Sequence, residues 1–249
     1  MSERFLRNEL YAGKEVCANL KNIKVCVVGL GGVGAYAVEA LARLGVENFV
    51  LVDKDNVDIT NLNRQIIALE STLGKDKVEA VKERILDINP SINVKEYPVF
   101  FNKETSSLIL DEKPDYVIDA IDTITCKYEL IKICLDNNIK FISSMGMGNR
   151  EDLTKIEITT LDKTNYDPVA KKLRELIKKD NRIKDMKKVN VVFSKEQPRK
   201  QNKIVNKEGT TLKENCPPSS IIFTPSTAGL LCAYYVFNDI KNYTQINNL

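Results

Sequence analysis

The chain contains no histidine and no tryptophan. Without an imidazole there is no Ser-His-Asp triad, no Cys-His pair and no imidazole ligand for zinc. Proton transfer falls to carboxylates, lysine, tyrosine, cysteine or the substrate itself. Six cysteines are present (Cys17, Cys26, Cys126, Cys134, Cys216 and Cys232), and no two stand as a C-x-x-C pair. No zinc site built from four thiolates is therefore expected. Most of these thiols lie in apolar runs, where cysteine behaves as a small hydrophobe. A chain of 249 residues has no need of disulfide staples, so a reducing cytoplasm is the expected compartment. The opening MSERFLRNELYAGKE is charged and lacks the apolar centre of a signal peptide. The longest late apolar stretch, Ala228 to Phe237, reaches about half of the ~20 residues a bilayer span requires. It reads as a buried helix, and no membrane insertion is expected.

Lys and Arg number 37 against 34 Asp and Glu, with 43% apolar residues, an ordinary balance for a globular protein. The charge is unevenly spread. Between Lys171 and Lys203 there are 13 basic residues and four acids, so the remainder of the chain is net acidic. A basic segment on an acidic body suits a polyanion, or else a solvated lysine-rich face.

Residues 22–150 read as alternating strands and helices. Strands are expected at Ile23–Val28, Asn48–Val52, Ile92–Pro98, Asp115–Ala120 and Lys140–Ser144. Helices are expected at Val33–Leu44, Lys75–Ile88, Thr105–Leu110 and Cys126–Asp136. This order predicts an α/β fold with a Rossmann-like, doubly wound, mainly parallel sheet. After residue 150 the pattern changes to antiparallel strands at Lys155–Thr160 and Lys188–Phe193, a charged helix at Pro168–Lys179 and a polar loop over 194–219. A short strand at Ile221–Thr224 and a closing helix at Ser226–Phe237 complete the expectation. The chain thus reads as one domain over 1–249, with a nucleotide-binding core (22–150) and a C-terminal extension (151–249).

Gly29-Leu30-Gly31-Gly32-Val33-Gly34 follows one expected strand and opens a helix, the setting in which a G-x-G-x-x-G loop binds phosphate. Asp53, 19 residues after Gly34, ends the next strand, where a carboxylate accepts from ribose hydroxyls. On its own this fingerprint says adenosine nucleotide and makes an NAD-dependent oxidoreductase the first hypothesis. The residues that follow favour ATP. Asp55, Asn61, Arg64 and Gln65 crowd the segment after Asp53, and Lys77 opens the next helix. Charge developing on an α-phosphate and a departing pyrophosphate calls for such cations and amides, together with Mg²⁺. Asp122 follows the fourth strand and is a candidate Mg²⁺ ligand.

The combination of Gly29–Gly34, Asp53, Asn61-Leu62-Asn63-Arg64-Gln65, Gly74-x-x-Lys77 and Asp119-Ala120-Ile121-Asp122 resembles the ubiquitin-activating-type adenylyltransferases. The resemblance implies a homodimer that adenylates a carboxylate with Mg-ATP. It implies that Asp53 holds the ribose, that Asn61, Arg64 and Lys77 contact phosphates, and that Asp122 binds Mg²⁺. It further implies an N-terminal Arg reaching into the partner's ATP site; Arg7 matches best and Arg4 stays open. The sulfur-carrier activators of that family carry two C-x-x-C pairs, which are missing here. Ser143–Asn149, Thr164, Asp167–Ala170 and Pro217–Pro225 resemble instead a tRNA-modifying branch that uses ATP to cyclise threonylcarbamoyladenosine.

That resemblance implies attack of the threonyl carboxylate on the α-phosphate, then ring closure by the carbamoyl group with loss of AMP. The second step is intramolecular and needs no enzymic nucleophile. Cys232, in an apolar helical stretch, is expected to be structural, and Cys216 stays open. Lys171, Lys172, Arg174, Lys178, Lys179, Arg182, Lys187 and Lys188 would contact tRNA phosphates. The rival readings are an activator of a ubiquitin-like sulfur carrier, an NAD-dependent oxidoreductase and a non-catalytic nucleotide scaffold. A monovalent cation near the substrate pocket and a sulfur-relay partner protein both stay open, although no motif identifies either.

Overall fold

The computed structural model describes residues 3–201 and 218–247. Seven strands form one sheet in the order β3-β2-β1-β4-β5-β7-β6. They are β1 (Lys24–Val28), β2 (Asn48–Val52), β3 (Asn93–Tyr97), β4 (Tyr116–Asp119), β5 (Lys140–Ser144), β6 (Ile156–Thr160) and β7 (Asn190–Ser194). Neighbours run parallel except β6 and β7, which pair antiparallel with Ile158 opposite Val192. The C-terminal strands thus extend the same sheet, as expected, with β7 itself parallel to β5.

Both faces of the central strands are buried, which is why β1 reads as a continuous apolar run. Val25 and Val27 face one core with α2 (Lys14–Asn22), α3 (Gly34–Leu44), α4 (Lys77–Ile88) and α8 (Phe223–Asn247). Cys26 and Val28 face the other, with α5 (Ser107–Glu112), α6 (Ile124–Asp136) and α7 (Pro168–Asp180). In α7, Ala170, Leu173 and Ile177 form the buried stripe of an otherwise charged helix. Its start is set by Asp167, whose Oδ1 accepts the Ala170 N–H at 2.9 Å, and by Pro168 at the first helical position. Among the described residues no helix is long and apolar enough to cross a membrane.

The last expected strand is corrected. Among the described residues Ile221 and Ile222 pair with no strand, and Phe223 and Thr224 begin a 25-residue α8. Pro225 suggests a break, but in a helix's first turn its missing N–H has no intrahelical partner to lose. The closing helix therefore starts earlier than Ser226 and runs past Phe237 to Asn247. Two N-terminal helices, α1 (Leu6–Ala12) and α2, also form in a region where the sequence pattern predicts no element. Asn8 ties α1 to the Arg43 carbonyl at 2.7 Å. Most of the expected loop over 194–219, including Cys216 and Pro217, lies outside the described residues.

Candidate functional site

The strand order reverses between β1 and β4, and a cleft of about 380 Å³ opens there at the carboxyl ends of the strands. Gly29, Gly31 and Gly32 line its floor. Gly29 has φ +92°, and a Cβ there would stand 2.6 Å from the Ala120 carbonyl oxygen. A Cβ on Gly34 would stand 1.8 Å from the Gly29 carbonyl oxygen. Only glycine lets this loop pack against both α3 and the β4 exit. Asp53 sits at the end of β2. Its Oδ2 accepts the Leu30 N–H at 2.6 Å and its Oδ1 the Asp55 N–H at 2.8 Å. The same carboxylate thus shapes the glycine loop and keeps lone pairs for a ligand.

The cations converge from the opposite wall. Lys77, 6% exposed at the start of α4, donates to Asp55 Oδ2 at 3.0 Å. Residues Ile59–Asn61 form a short 3-10 turn rather than a full helix, and Asn61 closes a capping box with Asp58. Arg64 lies just beyond, donating to the Thr60 carbonyl at 2.8 Å and to Asn63 Oδ1 at 2.9 Å. Gln65 is buried against the cleft, and its Oε1 has no hydrogen-bond partner among the described residues. A buried acceptor in that state is costly unless a ligand or water serves it. Asp122 stands exposed at the rim, where one oxygen accepts the Thr123 hydroxyl at 3.3 Å.

The cleft also holds residues that no sequence motif marks. Val99, Phe100 and Phe101 form an apolar wall, and Lys54 lies 5.2 Å over the Phe100 ring. They follow β3, so the strand-end rule that locates Asp53 and Asp122 locates them too. Beside the cleft, the segments Ser143–Asn149 and 218–225 pack together. Asn149 Oδ1 accepts from the Ser219 amide at 2.9 Å and its hydroxyl at 2.7 Å, and Thr224 donates to the Met147 carbonyl at 2.9 Å. Asn63 reaches across to the Ser220 carbonyl at 2.8 Å, linking this layer to the Arg64 wall. Thr164 and Asp167 belong to the same layer. Buried Arg150 pairs with Asp167 at 3.3 Å, and Thr164 receives the Arg174 guanidinium.

Cys232 is fully buried on α8, and burial pushes its thiol up to about 12. It is a core residue, not an accessible nucleophile. Of the basic residues on and after α7, Lys171, Lys172, Lys178, Lys179, Lys187 and Lys188 are exposed. Arg174 is occupied by the Leu161 and Thr164 carbonyls, and Arg182 pairs with Asp180 at 3.1 Å. At the N-terminus Arg4 donates to the Ile88 carbonyl. Arg7 is exposed and has no hydrogen bond or ion pair among the described residues.

Comparisons agree with this geometry. The tRNA threonylcarbamoyladenosine dehydratase of Bacillus subtilis (strain 168) is 46% identical over 256 residues, covering 100% of this chain and 99% of its own. The crystal structure of the E. coli tRNA N6-threonylcarbamoyladenosine dehydratase TcdA in complex with ATP matches with a TM-score of 0.86 and 32% identity. It covers 98% of this chain and 96% of its own. An adenylyltransferase and sulfurtransferase, UBA4 of Vanderwaltozyma polyspora, is 37% identical, but over only 57% of this chain and 33% of its own length. The ThiF family model matches residues 5–248. A glycine loop clamped by Asp53, cations gathered opposite it, and a match from end to end place this chain in the ThiF family.

Proposed function

We propose that the protein uses ATP to dehydrate N6-threonylcarbamoyladenosine in tRNA, closing a ring between the threonyl carboxyl carbon and the carbamoyl group. The observation that carries this reading is the cleft. There Lys77 and Arg64 stand across from the glycine loop, on a chain that matches a dehydratase of that name along its whole length.

In this reading the backbone of Gly29, Gly31, Gly32 and Gly34 receives the triphosphate, and Asp53 accepts from the ribose hydroxyls. Lys77 exchanges Asp55 for a phosphate oxygen, and Asn61, Arg64 and Gln65 complete the polar wall. Among the described residues no group of three or more His, Cys, Asp or Glu side chains could hold a metal. The single rim carboxylate of Asp122 fits Mg²⁺, which binds through one or two carboxylates plus phosphates and water. That ion would supply charge neutralisation at the phosphates. The threonyl carboxylate oxygen bonds to the α-phosphorus and pyrophosphate leaves. The carbamoyl group of the same nucleoside then bonds to the activated carbonyl and AMP leaves, for a net loss of one water. Arg64 and Lys77 stabilise the charge on the departing pyrophosphate.

The exposed lysines of α7 and of the Met186–Lys188 turn are the proposed tRNA phosphate contacts. Exposed Arg182 joins them, while Arg174, engaged by the Leu161 and Thr164 carbonyls, holds that surface in shape. In a homodimer, Arg7 is the favoured arginine to reach a partner's cleft and Arg4 the alternative; the exposed Arg7 side chain and the contact of Arg4 with the Ile88 carbonyl support that order. Residues 22–150 then form the nucleotide core and 151–249 the substrate-facing extension, working in the reducing cytoplasm where the free thiols persist.

Incubation with ATP and tRNA bearing threonylcarbamoyladenosine, followed by mass measurement of the nucleoside, tests the proposal. Loss of one water is expected, and Asp122→Ala abolishes it. An unchanged nucleoside mass would refute the proposal. The partial likeness to UBA4 favours a rival, activation of a ubiquitin-like carrier's C-terminus. Pyrophosphate exchange stimulated by such a carrier, but not by modified tRNA, would establish it instead.

A further inference from the structure

Lys127 lies in α6 with 0% of its surface exposed. Its buried neighbours on that helix, Cys126, Tyr128, Leu130, Ile131 and Cys134, belong to the apolar core. An ammonium in such a place is costly unless paired and fully hydrogen-bonded. It is fully bonded: Nζ reaches Asp119 Oδ2 at 2.9 Å, the Ser144 carbonyl oxygen at 2.9 Å and Ser143 Oγ at 3.2 Å. All three of its protons are thereby used. Asp119 is equally buried and closes the cluster. Its Oδ2 accepts the Ser143 hydroxyl at 2.6 Å and its Oδ1 the Ile121 N–H at 3.1 Å.

Lys127 is absent from the lining of the cleft, yet everything it holds leads there. Asp119 ends β4 and folds back onto the backbone of Ile121. Ala120, whose carbonyl Gly29 packs against, and Asp122 flank that amide. Ser143 and Ser144 end β5, directly before the Met145–Asn149 segment beside the cleft. One cation from α6 therefore fastens the exits of two adjacent strands. A buried ion pair is weak grounds for stability by itself, since an apolar replacement of both partners is often as stable. Its value here is geometric.

The geometry points to Lys127 as a positioning residue that, through Asp119 and Ser143, sets where Asp122 stands relative to the glycine loop. The inference rests on the Mg-ATP reading of the cleft. Outer partners of this kind hold a metal-facing carboxylate in the orientation binding requires.

The test measures ATP affinity by calorimetry with and without Mg²⁺, alongside thermal melting, for native protein, Lys127→Met, Asp119→Asn/Lys127→Met and Ser143→Ala. Lys127→Met leaves a buried carboxylate unpaired and is expected to lower both melting temperature and binding. The double variant removes both charges and is expected to regain most of its melting temperature. The gain in ATP affinity that Mg²⁺ confers is expected to stay about tenfold below native in that variant. Ser143→Ala, which removes the bond to Asp119 and one acceptor of Lys127 but leaves the ion pair in place, is expected to melt modestly below native and to lose that gain severalfold. A double variant or a Ser143→Ala protein with the full native magnesium effect would overturn the positioning role alone. A native chain that binds no Mg-ATP would overturn it together with the reading of the cleft.

Discussion

The two edges of the sheet make an instructive pair. The amino edge carries the larger cavity, about 630 Å³ between β4, β5, the α6 exit and the end of α8. The carboxyl-edge cleft is smaller, about 380 Å³. At the amino edge the polar groups satisfy one another. Tyr116 donates to Asp239, which also takes Lys140 at 2.7 Å, and the Lys24 amide donates to Asp115 at 2.7 Å. At the carboxyl edge, among the described residues, Gln65 Oε1 is unserved, Asp122 takes only a neighbouring hydroxyl, and Lys77 is held by an Asp55 that is itself half exposed. A ligand site is marked by chemistry left unspent rather than by volume, as expected when binding relies on a few convergent polar groups.

The largest effects that can break this comparison come from exchanging its roles. Lys77→Met and Arg64→Ala are each expected to slow ATP–pyrophosphate exchange by at least ~100-fold, the scale of losing one charge-stabilising donor. Tyr116→Phe at the amino edge removes a hydrogen bond of comparable burial and is expected to leave the exchange rate within about twofold, costing about 1 kcal/mol of stability. Denaturant unfolding and a radiolabelled exchange assay on the same preparations separate the two. An amino-edge variant as damaging to rate as Lys77→Met would mean that the larger cavity takes part in the reaction.

The basic surface sharpens the contrast with the cleft, because it should set affinity without touching chemistry. Alanine at Lys178 and Lys179 is expected to weaken tRNA binding and to lower the salt slope of log K by about one for each phosphate no longer neutralised. ATP binding measured without tRNA should not change. Alanine at Arg174 should act differently. Its guanidinium ties α7 to the Leu161 and Thr164 carbonyls, so stability falls while the salt slope stays.

The legible parts of the molecule are those governed by local rules. β1 and β2 announce themselves as short apolar runs, and the nucleotide residues fall at strand ends because open α/β sheets bind there. What cannot be read is set by tertiary partners. Ile221 and Ile222 look like a strand, but among the described residues no neighbouring strand pairs with them. Nothing in the helical pattern of Cys126–Asp136 singles out Lys127, and only the folded β4 and β5 exits bring Asp119 and Ser143 to it. Arg174 looks like one more exposed cation, and only the fold brings the Thr164 hydroxyl and carbonyl to its guanidinium. Spacing reveals which residues share an element, not which partner a long side chain will find.

Cys232 gives a smaller test on the carboxyl-edge side. With its thiol buried and pushed up to about 12, Cys232→Ala is expected to keep the exchange and dehydration rates within about twofold while costing about 1 kcal/mol of stability. Loss of dehydration with exchange intact would instead make the thiol an acyl carrier.

The smallest expected effect lies at the amino edge and is a matter of pH. Glu112 accepts from the Tyr97 hydroxyl and from Lys24 Nζ, and these bonds, the Tyr97 one first, hold its carboxyl below the usual carboxylate range. A folded-state pKa below the unfolded value means that the unfolded chain binds the proton more readily. The contribution is therefore fully present above the ordinary carboxylate range and disappears as the pH falls through and below it. Glu112→Gln cannot titrate. It should lower stability slightly at neutral pH and flatten the acid limb of a plot of unfolding midpoint against pH, with pyrophosphate exchange at neutral pH unmoved. An acid limb as steep as native would show that the charges of the amino edge do not hold the fold together, and that their mutual pairing there is incidental.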